Sequence, residues 1–184
     1  MKKPNGWENT QAVMGGEDYE VLTPGGHIVK ILNAETAMSR AGKDMLVLNF
    51  EIAEGSDFDG MMQRAWKRWQ KWPVSGTYYQ LTEDQQGGAN PRFKGLIKAV
   101  EESNSGYAWN WDERTLKGRQ VGMIFREEEY EANDGTVRTS VKPIAVCPAL
   151  EAMDKAAPAK KLLERADKAA GQGFTEEKDD DLPF

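Results

Sequence analysis

The sequence predicts a mainly β protein with one or two helices, built as a small β-barrel and followed by a disordered acidic C-terminal tail. Three observations predict this fold. Two pairs of segments alternate apolar and polar residues with a period of two and are joined by turns, which is typical of β-hairpins. One amphipathic helix lies between the two pairs. The chain then ends in an acidic run and the residues Leu-Pro-Phe.

The composition is that of a soluble globular protein. Of the 184 residues, 39% are hydrophobic and 29% are charged, which suits one domain with tails. No stretch approaches the ~20 apolar residues of a membrane span, and the polar start lacks the apolar region of a secretory signal. The single Cys147 allows no internal disulfide and fits a reducing cytosol. With His27 as the one histidine, a Cys/His zinc site cannot be assembled within the chain.

The chain divides into three parts. Residues 1–20 are polar and contain glycine, and we expect them to form a flexible N-terminal arm. Residues 21–150 carry the periodic apolar pattern of the folded domain. Residues 151–184 are a helix-prone linker and an acidic interaction tip, and residues 159–170 within them are predicted to form a short helix.

The first hairpin is predicted over residues 27–36 and 45–53, with a turn at Ser39–Lys43. Its second strand has the clearest alternation, and the apolar residues that share one face are Leu46, Leu48, Phe50 and Ile52. The second hairpin is predicted over residues 121–130 and 137–146, around the turn Asn133-Asp134-Gly135. Pro143 indicates an edge strand or a bulge, because proline cannot donate to a ladder.

A helix is predicted to start at Asn90 as N-cap and Pro91 as first helical residue, between the two hairpins. Its apolar stripe consists of Phe93, Leu96, Ile97 and Val100. The oligonucleotide-binding (OB) fold has five strands with a helix between the third and the fourth, and it matches this order of elements. We therefore predict an OB-like barrel. The acidic run Glu127–Glu129 is interpreted as a solvated strand face or a hairpin edge.

Residues 64–73 contain four cations and three tryptophans and no acid. Proteins that bind single strands need this pairing, because cations follow the phosphates and aromatic rings stack on unpaired bases. On a helix, Met62, Trp66 and Trp69 would form one apolar stripe; on a strand, Trp66 and Trp69 would face opposite sides. Either geometry buries at least one tryptophan, and we expect at least one of the others to meet the ligand.

Further aromatic and basic residues continue this chemistry nearby in sequence. The candidate DNA-binding residues are Arg64, Trp66, Lys67, Arg68, Trp69, Lys71, Trp72, Tyr78, Tyr79, Arg92 and Lys94. Trp109 and Trp111 are assigned mainly to packing, because the neighbouring Asp112 and Glu113 would repel phosphates.

The C-terminal tip is the candidate partner-binding segment, and its residues are Asp179, Asp180, Asp181, Leu182, Pro183 and Phe184. It resembles the acidic tip of bacterial single-stranded-DNA-binding proteins, which ends in Asp-Asp-Asp-Ile-Pro-Phe. The resemblance implies recruitment of replication and recombination enzymes. Residues 176–181 hold five acids and one lysine, so they contribute −4 of the net charge of −6, and the rest is nearly balanced.

Residues 21–147 resemble bacteriophage single-stranded-DNA-binding proteins. The matching stretches are Pro24–Gly26, Ser39–Lys43, Leu48–Gly55, Lys94–Ile97, Glu101–Asn104, Trp109–Asp112 and Leu116–Gly118. This resemblance implies an OB-like fold and a part in phage genome replication or recombination, in the cytoplasm of the bacterial host. It supplies no set of DNA-contacting residues.

The sequence thus predicts a non-catalytic, sequence-tolerant protein that binds single-stranded DNA and recruits enzymes through its tip, with no cofactor and no metal. The alternative is a protein-interaction adaptor that mimics the host tip without binding DNA. A carbohydrate-binding module fits the tryptophans less well, because the interleaved cations suit phosphates. The sequence assigns no oligomeric state.

Overall fold

The computed structural model describes residue 3 and residues 6–9 and 20–164. Within them, five antiparallel strands form one sheet in the order β3-β2-β1-β4-β5, accompanied by three α-helices and three short 3-10 helices. The strands are β1 (Gly25–Met38), β2 (Asp44–Ile52), β3 (Thr77–Leu81), β4 (Gln120–Glu131) and β5 (Val137–Cys147). The helices are α1 (Met61–Trp69), α2 (Pro91–Ser103) and the single turn α3 (Ala149–Ala152). The mainly β class is therefore confirmed.

The first predicted hairpin is confirmed as β1 and β2. Its turn is closed by the Ser39 N–H, which donates to the Lys43 carbonyl (2.8 Å), and by the Lys43 N–H, which donates to Ser39 Oγ (3.0 Å). The alternating residues of β2 that were predicted to share a face are all buried in the core. The period-two pattern therefore places this hairpin correctly, although Met45, Val47 and Glu51 on the other face of β2 are buried as well.

The second predicted hairpin is confirmed as β4 and β5, and Pro143 lies at a disturbance of its ladder. Ile124 pairs with Ala145 whereas Phe125 pairs with Pro143, so one residue of β5 is extra at this point. β5 is also an edge strand. A residue without an N–H is tolerated in both of these places.

Helix α2 begins as predicted. Asn90 Oδ1 accepts from the Arg92 N–H (2.9 Å), and Pro91 occupies the first helical position. Leu96, Ile97 and Val100 are buried, and Phe93 packs against the core from a half-buried position. The helix lies between the third and fourth strands, as in the predicted order of elements.

The sheet is not closed into a barrel. The edge strands β3 and β5 approach each other, but within the described residues no hydrogen-bonded ladder joins them. Helix α2 packs against both strands, and the groove between α2 and β5 has a volume of about 500 Å³. Closure was predicted from element order alone, which does not determine whether the last two edges pair.

The segment after α3 returns to the sheet and covers part of β4. The Lys161 N–H donates to the Glu127 carbonyl and the Lys161 carbonyl accepts from the Glu129 N–H, both at 2.9 Å. The described part of the predicted short helix, residues 159–164, is therefore not helical. This edge of β4 is available because β1 starts at Gly25 and pairs with β4 only as far as Phe125.

The same segment corrects the interpretation of the acidic run as a solvated strand face. Glu127 and Glu129 both lie near Lys160 Nζ, at 3.5 and 3.1 Å, and all three glutamates of the run are partly buried. Glu128 pairs instead with Arg126 and Lys142. The acidic tip and most of the N-terminal arm lie outside the described residues. Within the described ranges, no helix is long and apolar enough to cross a membrane.

Candidate nucleic-acid interface

The tryptophan-rich segment forms a helix, α1, so the strand alternative is wrong. Met61 and Met62 in its first turn are buried in the core. The helix contains no acid and carries Lys67 and Arg68 in its last turn. Positive charges there interact favourably with the negative end of the helix dipole. Its backbone ends at Gln70, whose φ of 51° is left-handed. The first turn therefore anchors α1, and the rest extends from the sheet.

A buried carboxylate on β2 holds the start of α1. Glu51 is 6% exposed, and its carboxylate accepts from the N–H groups of Met62 (2.9 Å), Gln63 (2.8 Å) and Ile52 (2.9 Å). The first N–H groups of a helix have no partner within the helix. The N-cap residue Gly60 has no side chain to supply one. Glu51 therefore serves as the cap from a neighbouring strand.

Trp66 and Trp69 are the exposed tryptophans of α1, at 45% and 57%. They are three residues apart and so lie on one side of the helix, in the same stripe as Met62. The apolar stripe is longer than the contact between helix and core, so Met62 is buried whereas both tryptophans face outward. The strand-based expectation that the two would point to opposite faces is therefore wrong.

Trp72 is the tryptophan of this segment that contributes to the folded structure. It is half-buried and packs against the core. Its Nε1–H donates to the Gly76 carbonyl at 2.9 Å and fixes the turn that leads into β3. Either geometry is expected to bury at least one of the three tryptophans. Trp72 meets this expectation only in part, because it is half-buried.

The four cations of the segment do not have equal roles. Arg64 makes a double hydrogen bond to Glu20, with Nε to Oε2 at 2.9 Å and Nη2 to Oε1 at 2.8 Å. The bond to Glu20 raises the pKa of Arg64 above its usual value. The guanidinium thus already has a carboxylate partner, and Arg64 ties Glu20, five residues before β1 begins, to α1.

The remaining three cations are neighbours of the exposed tryptophans in the chain. The guanidinium carbon of Arg68 lies 5.3 Å from the ring centre of Trp69, within the range of a cation–π contact. Lys67 and Lys71 are exposed, and in the described ranges neither has a carboxylate within 4.0 Å. We name this patch the tryptophan surface, and its residues are Trp66, Lys67, Arg68, Trp69 and Lys71.

Tyr78 and Tyr79 are adjacent in β3 and point to opposite faces of the sheet. Tyr78 is buried, and its hydroxyl donates to Gln80 Oε1 at 3.1 Å. Burial raises the pKa of Tyr78, and the nearby Arg92 opposes this shift. The ring of Tyr78 therefore belongs to the core and offers no face for stacking, whereas Tyr79 is half-buried on the outer face.

Arg92 and Lys94 are exposed in the first turn of α2. Helix α1 packs on β2, whereas α2 packs across β3, β4 and β5. Arg92 also lines the groove between α2 and β5. These two cations therefore belong to a different part of the sheet from the cations of the tryptophan surface.

Trp111 differs from its sequence-based assignment. It is 79% exposed and has a φ of 66°, while Trp109 is half-buried and packs against the core. The two rings are 6.2 Å apart, with their planes at 59°. A left-handed backbone costs an L-residue about 1–2 kcal/mol. The assignment to packing is therefore correct for Trp109 and wrong for Trp111. The alternating pattern of this segment does not distinguish the two residues.

Comparison with known sequences finds no relative of this chain. The chain matches no protein-family model, and no curated protein is significantly similar to it. The geometry of the tryptophan surface and the order of the strands are therefore the features that indicate a function.

Proposed function

We propose that this chain is a non-catalytic protein that binds single-stranded DNA with little sequence preference. The observation that carries the proposal is the tryptophan surface, where Trp66 and Trp69 are exposed on one side of a helix that contains no acid. The protein acts in phage DNA replication or recombination, in the cytoplasm of the bacterial host. It recruits partner enzymes through the tip at residues 179–184.

The tryptophan surface supplies both parts of the interaction with a single strand. An exposed indole ring stacks on any unpaired base, and each stacked base contributes about 1–3 kcal/mol. Lys67, Arg68 and Lys71 add attraction to the phosphates that does not depend on sequence. A duplex hides the faces of its bases, so the rings give the surface a preference for single strands.

The strand order supports an OB-like architecture. Five antiparallel strands, with a helix between the third and the fourth, are the elements of that fold, and OB barrels are partly open. The approach of β3 to β5 without a ladder fits a barrel of this kind. OB folds serve as binding modules for single strands.

The adaptor alternative uses the same exposed rings. Trp66 and Trp69 would then cover an apolar patch on another protein, and the cations around them would contact acidic groups there. The two functions differ in their response to free DNA, because an adaptor has no affinity for an oligonucleotide.

We expect the full-length protein to bind labelled oligo-dT much more tightly than the corresponding duplex, since stacking needs unpaired bases. Fluorescence anisotropy at two salt concentrations measures both affinities. The affinity for oligo-dT should fall as salt rises, with a slope of about 0.7 per phosphate contacted. Equal affinity for both forms would contradict the proposal, and no binding to either would favour the adaptor.

We expect deletion of residues 179–184 to abolish partner recruitment and to leave DNA affinity unchanged or slightly raised. The acidic tip competes weakly with DNA for basic residues of the same protein, and salt should screen this difference. Phe184→Ala alone should lose the partner while the acids remain. The measurement is capture of a purified RecQ-type or primosomal helicase by the full-length, truncated and Phe184→Ala proteins. Equal capture by all three would leave the tip without this role.

A further inference from the structure

Trp111 combines two features that folding alone does not explain. Its large apolar ring is 79% exposed, and its backbone has a φ of 66°, which a bulky residue rarely adopts. Gly or Asn would satisfy this backbone with less strain, and a polar side chain would suit the exposure. Strained residues of this kind concentrate at binding sites, where the surrounding structure holds them in place.

The segment around Trp111 is held by a dense set of hydrogen bonds. The Asp112 N–H donates to Asn110 Oδ1 (3.2 Å), and Asp112 Oδ1 accepts from the Arg114 N–H (3.1 Å). On the other side of Trp111, the Trp109 N–H donates to Glu101 Oε1 on α2 at 2.8 Å. These bonds fix the backbone before and after Trp111. The ring therefore projects from a fixed base, which reduces the entropy lost when a ligand binds.

Further contacts join the end of this segment to the sheet. The Tyr107 hydroxyl lies 2.9 Å from Thr115 Oγ1, and the guanidinium carbon of Arg119 lies 4.4 Å from the ring centre of Tyr107. The Gly118 N–H donates to the Ile31 carbonyl at 2.7 Å. The platform under Trp111 is thus part of the folded domain.

We infer that Trp111 is a second stacking site for a nucleobase, used by the same single strand that lies on the tryptophan surface. This inference rests on the proposed function and extends it to residues 107–119. The ring offers a flat apolar face to an unpaired base, and Trp109 supports it from the core side.

The charge near Trp111 suits a polyanion better than the sequence suggests. Asp112 makes a double hydrogen bond to Arg114, with Nε to Oδ1 at 2.8 Å and Nη2 to Oδ2 at 2.9 Å. This bond lowers the pKa of Asp112, so the pair stays ionised and its charges cancel. Residues 110–119 hold three cations and two acids, and the Glu101 carboxylate at Trp109 adds a third acid, so the charge around the segment is balanced. Repulsion of phosphates, the reason for assigning Trp111 to packing, is therefore weak.

The sheet places the strand residue that caps α1 two strands away from the residue that follows the Trp111 segment. Glu51, which caps α1, pairs with Lys30 of β1, and Lys30 pairs on its other side with Gln120, which follows the Trp111 segment. Two strand spacings separate the backbones of Glu51 and Gln120, about 10 Å. An OB fold covers about 4–16 nucleotides of DNA, so one DNA strand is long enough to reach both sites.

The test compares Trp111→Ala with the wild-type protein in binding to an oligo-dT of about 20 nucleotides. We expect affinity to fall about 5- to 150-fold, as for the loss of one stacked base. An abasic oligonucleotide of the same length keeps the phosphates and removes the bases, so wild type and variant should bind it equally. Trp7→Ala is the matched control, because Trp7 is also exposed, at 63%, and should have no effect.

Two further variants separate binding from folding. Trp111→Gly relieves the left-handed backbone and should keep or raise the melting temperature while it loses affinity. Trp111→Tyr keeps a flat ring and should retain most of the affinity. If the wild-type protein binds oligo-dT and Trp111→Ala binds it equally well, this inference fails and the proposed function stands. If the wild-type protein does not bind oligo-dT at all, both fail.

Discussion

Replacing Trp66 and Trp69 together by Ala is expected to weaken binding of oligo-dT by about 30- to 10⁴-fold, which corresponds to two stacked bases at about 1–3 kcal/mol each. The melting temperature should stay nearly constant, because both rings are largely exposed and the helix is anchored by its first turn. Each single variant should give about half of the loss in binding free energy. The two single variants should resemble each other, since both rings lie on one side of α1.

Trp72→Ala is the matched control from the same segment. Trp72 packs against the core and donates to the Gly76 carbonyl, so its loss should destabilise the fold by about 3 kcal/mol. Replacement of Trp66 and Trp69 by Tyr should preserve binding, because a phenol ring also stacks. Anisotropy and thermal unfolding measure the two properties separately. A double Ala variant that unfolds easily, or that binds as well as wild type, would contradict the assignment of Trp66 and Trp69 as exposed residues that stack on bases.

Strands β1, β2, β4 and β5 and helix α2 could be predicted from sequence because each carries a local signal, whereas β3 was not predicted. The alternation in β2 and the Asn90-Pro91 start of α2 both depend on residues close together in the chain. The open gap between β3 and β5 depends on how strands distant in sequence meet, and alternation within a strand says nothing about that. The pairing of Lys161 with β4 is another long-range contact, and it lies in residues 159–164, the described part of a helix that local composition predicts.

The candidate site shows the same division. Its aromatic and basic residue types follow directly from the sequence, but the exposure of these residues is not determined by the pattern. Met62 and Trp66 occupy one stripe, and only the extent of the core decides that the first is buried and the second exposed. Arg64 resembles the other cations in sequence, yet its partner Glu20 is 44 residues away. For Trp111, the deciding feature is a backbone angle.

Glu51→Ala is expected to lower the free energy of unfolding by about 3–5 kcal/mol, the largest effect on stability that we predict. Three backbone N–H groups lose a charged acceptor in a buried position, at about 1–2 kcal/mol each. Two of these groups belong to the first turn of α1, so the helix also loses the carboxylate that favours its positive end. Thermal unfolding should show a melting temperature lower by about 10–15 °C.

The same change should also weaken DNA binding, although Glu51 is too buried to touch DNA. Loss of the cap leaves α1 less firmly docked, so the tryptophan surface is no longer held in one position. Glu35→Ala is the matched control, because Glu35 is an exposed carboxylate on the adjacent strand, and its effect on stability should stay within about 0.5 kcal/mol. Glu51→Gln keeps the shape and one neutral acceptor, so its stability and affinity should both be intermediate. Wild-type stability in Glu51→Ala would mean that the start of α1 is held by its buried methionines alone.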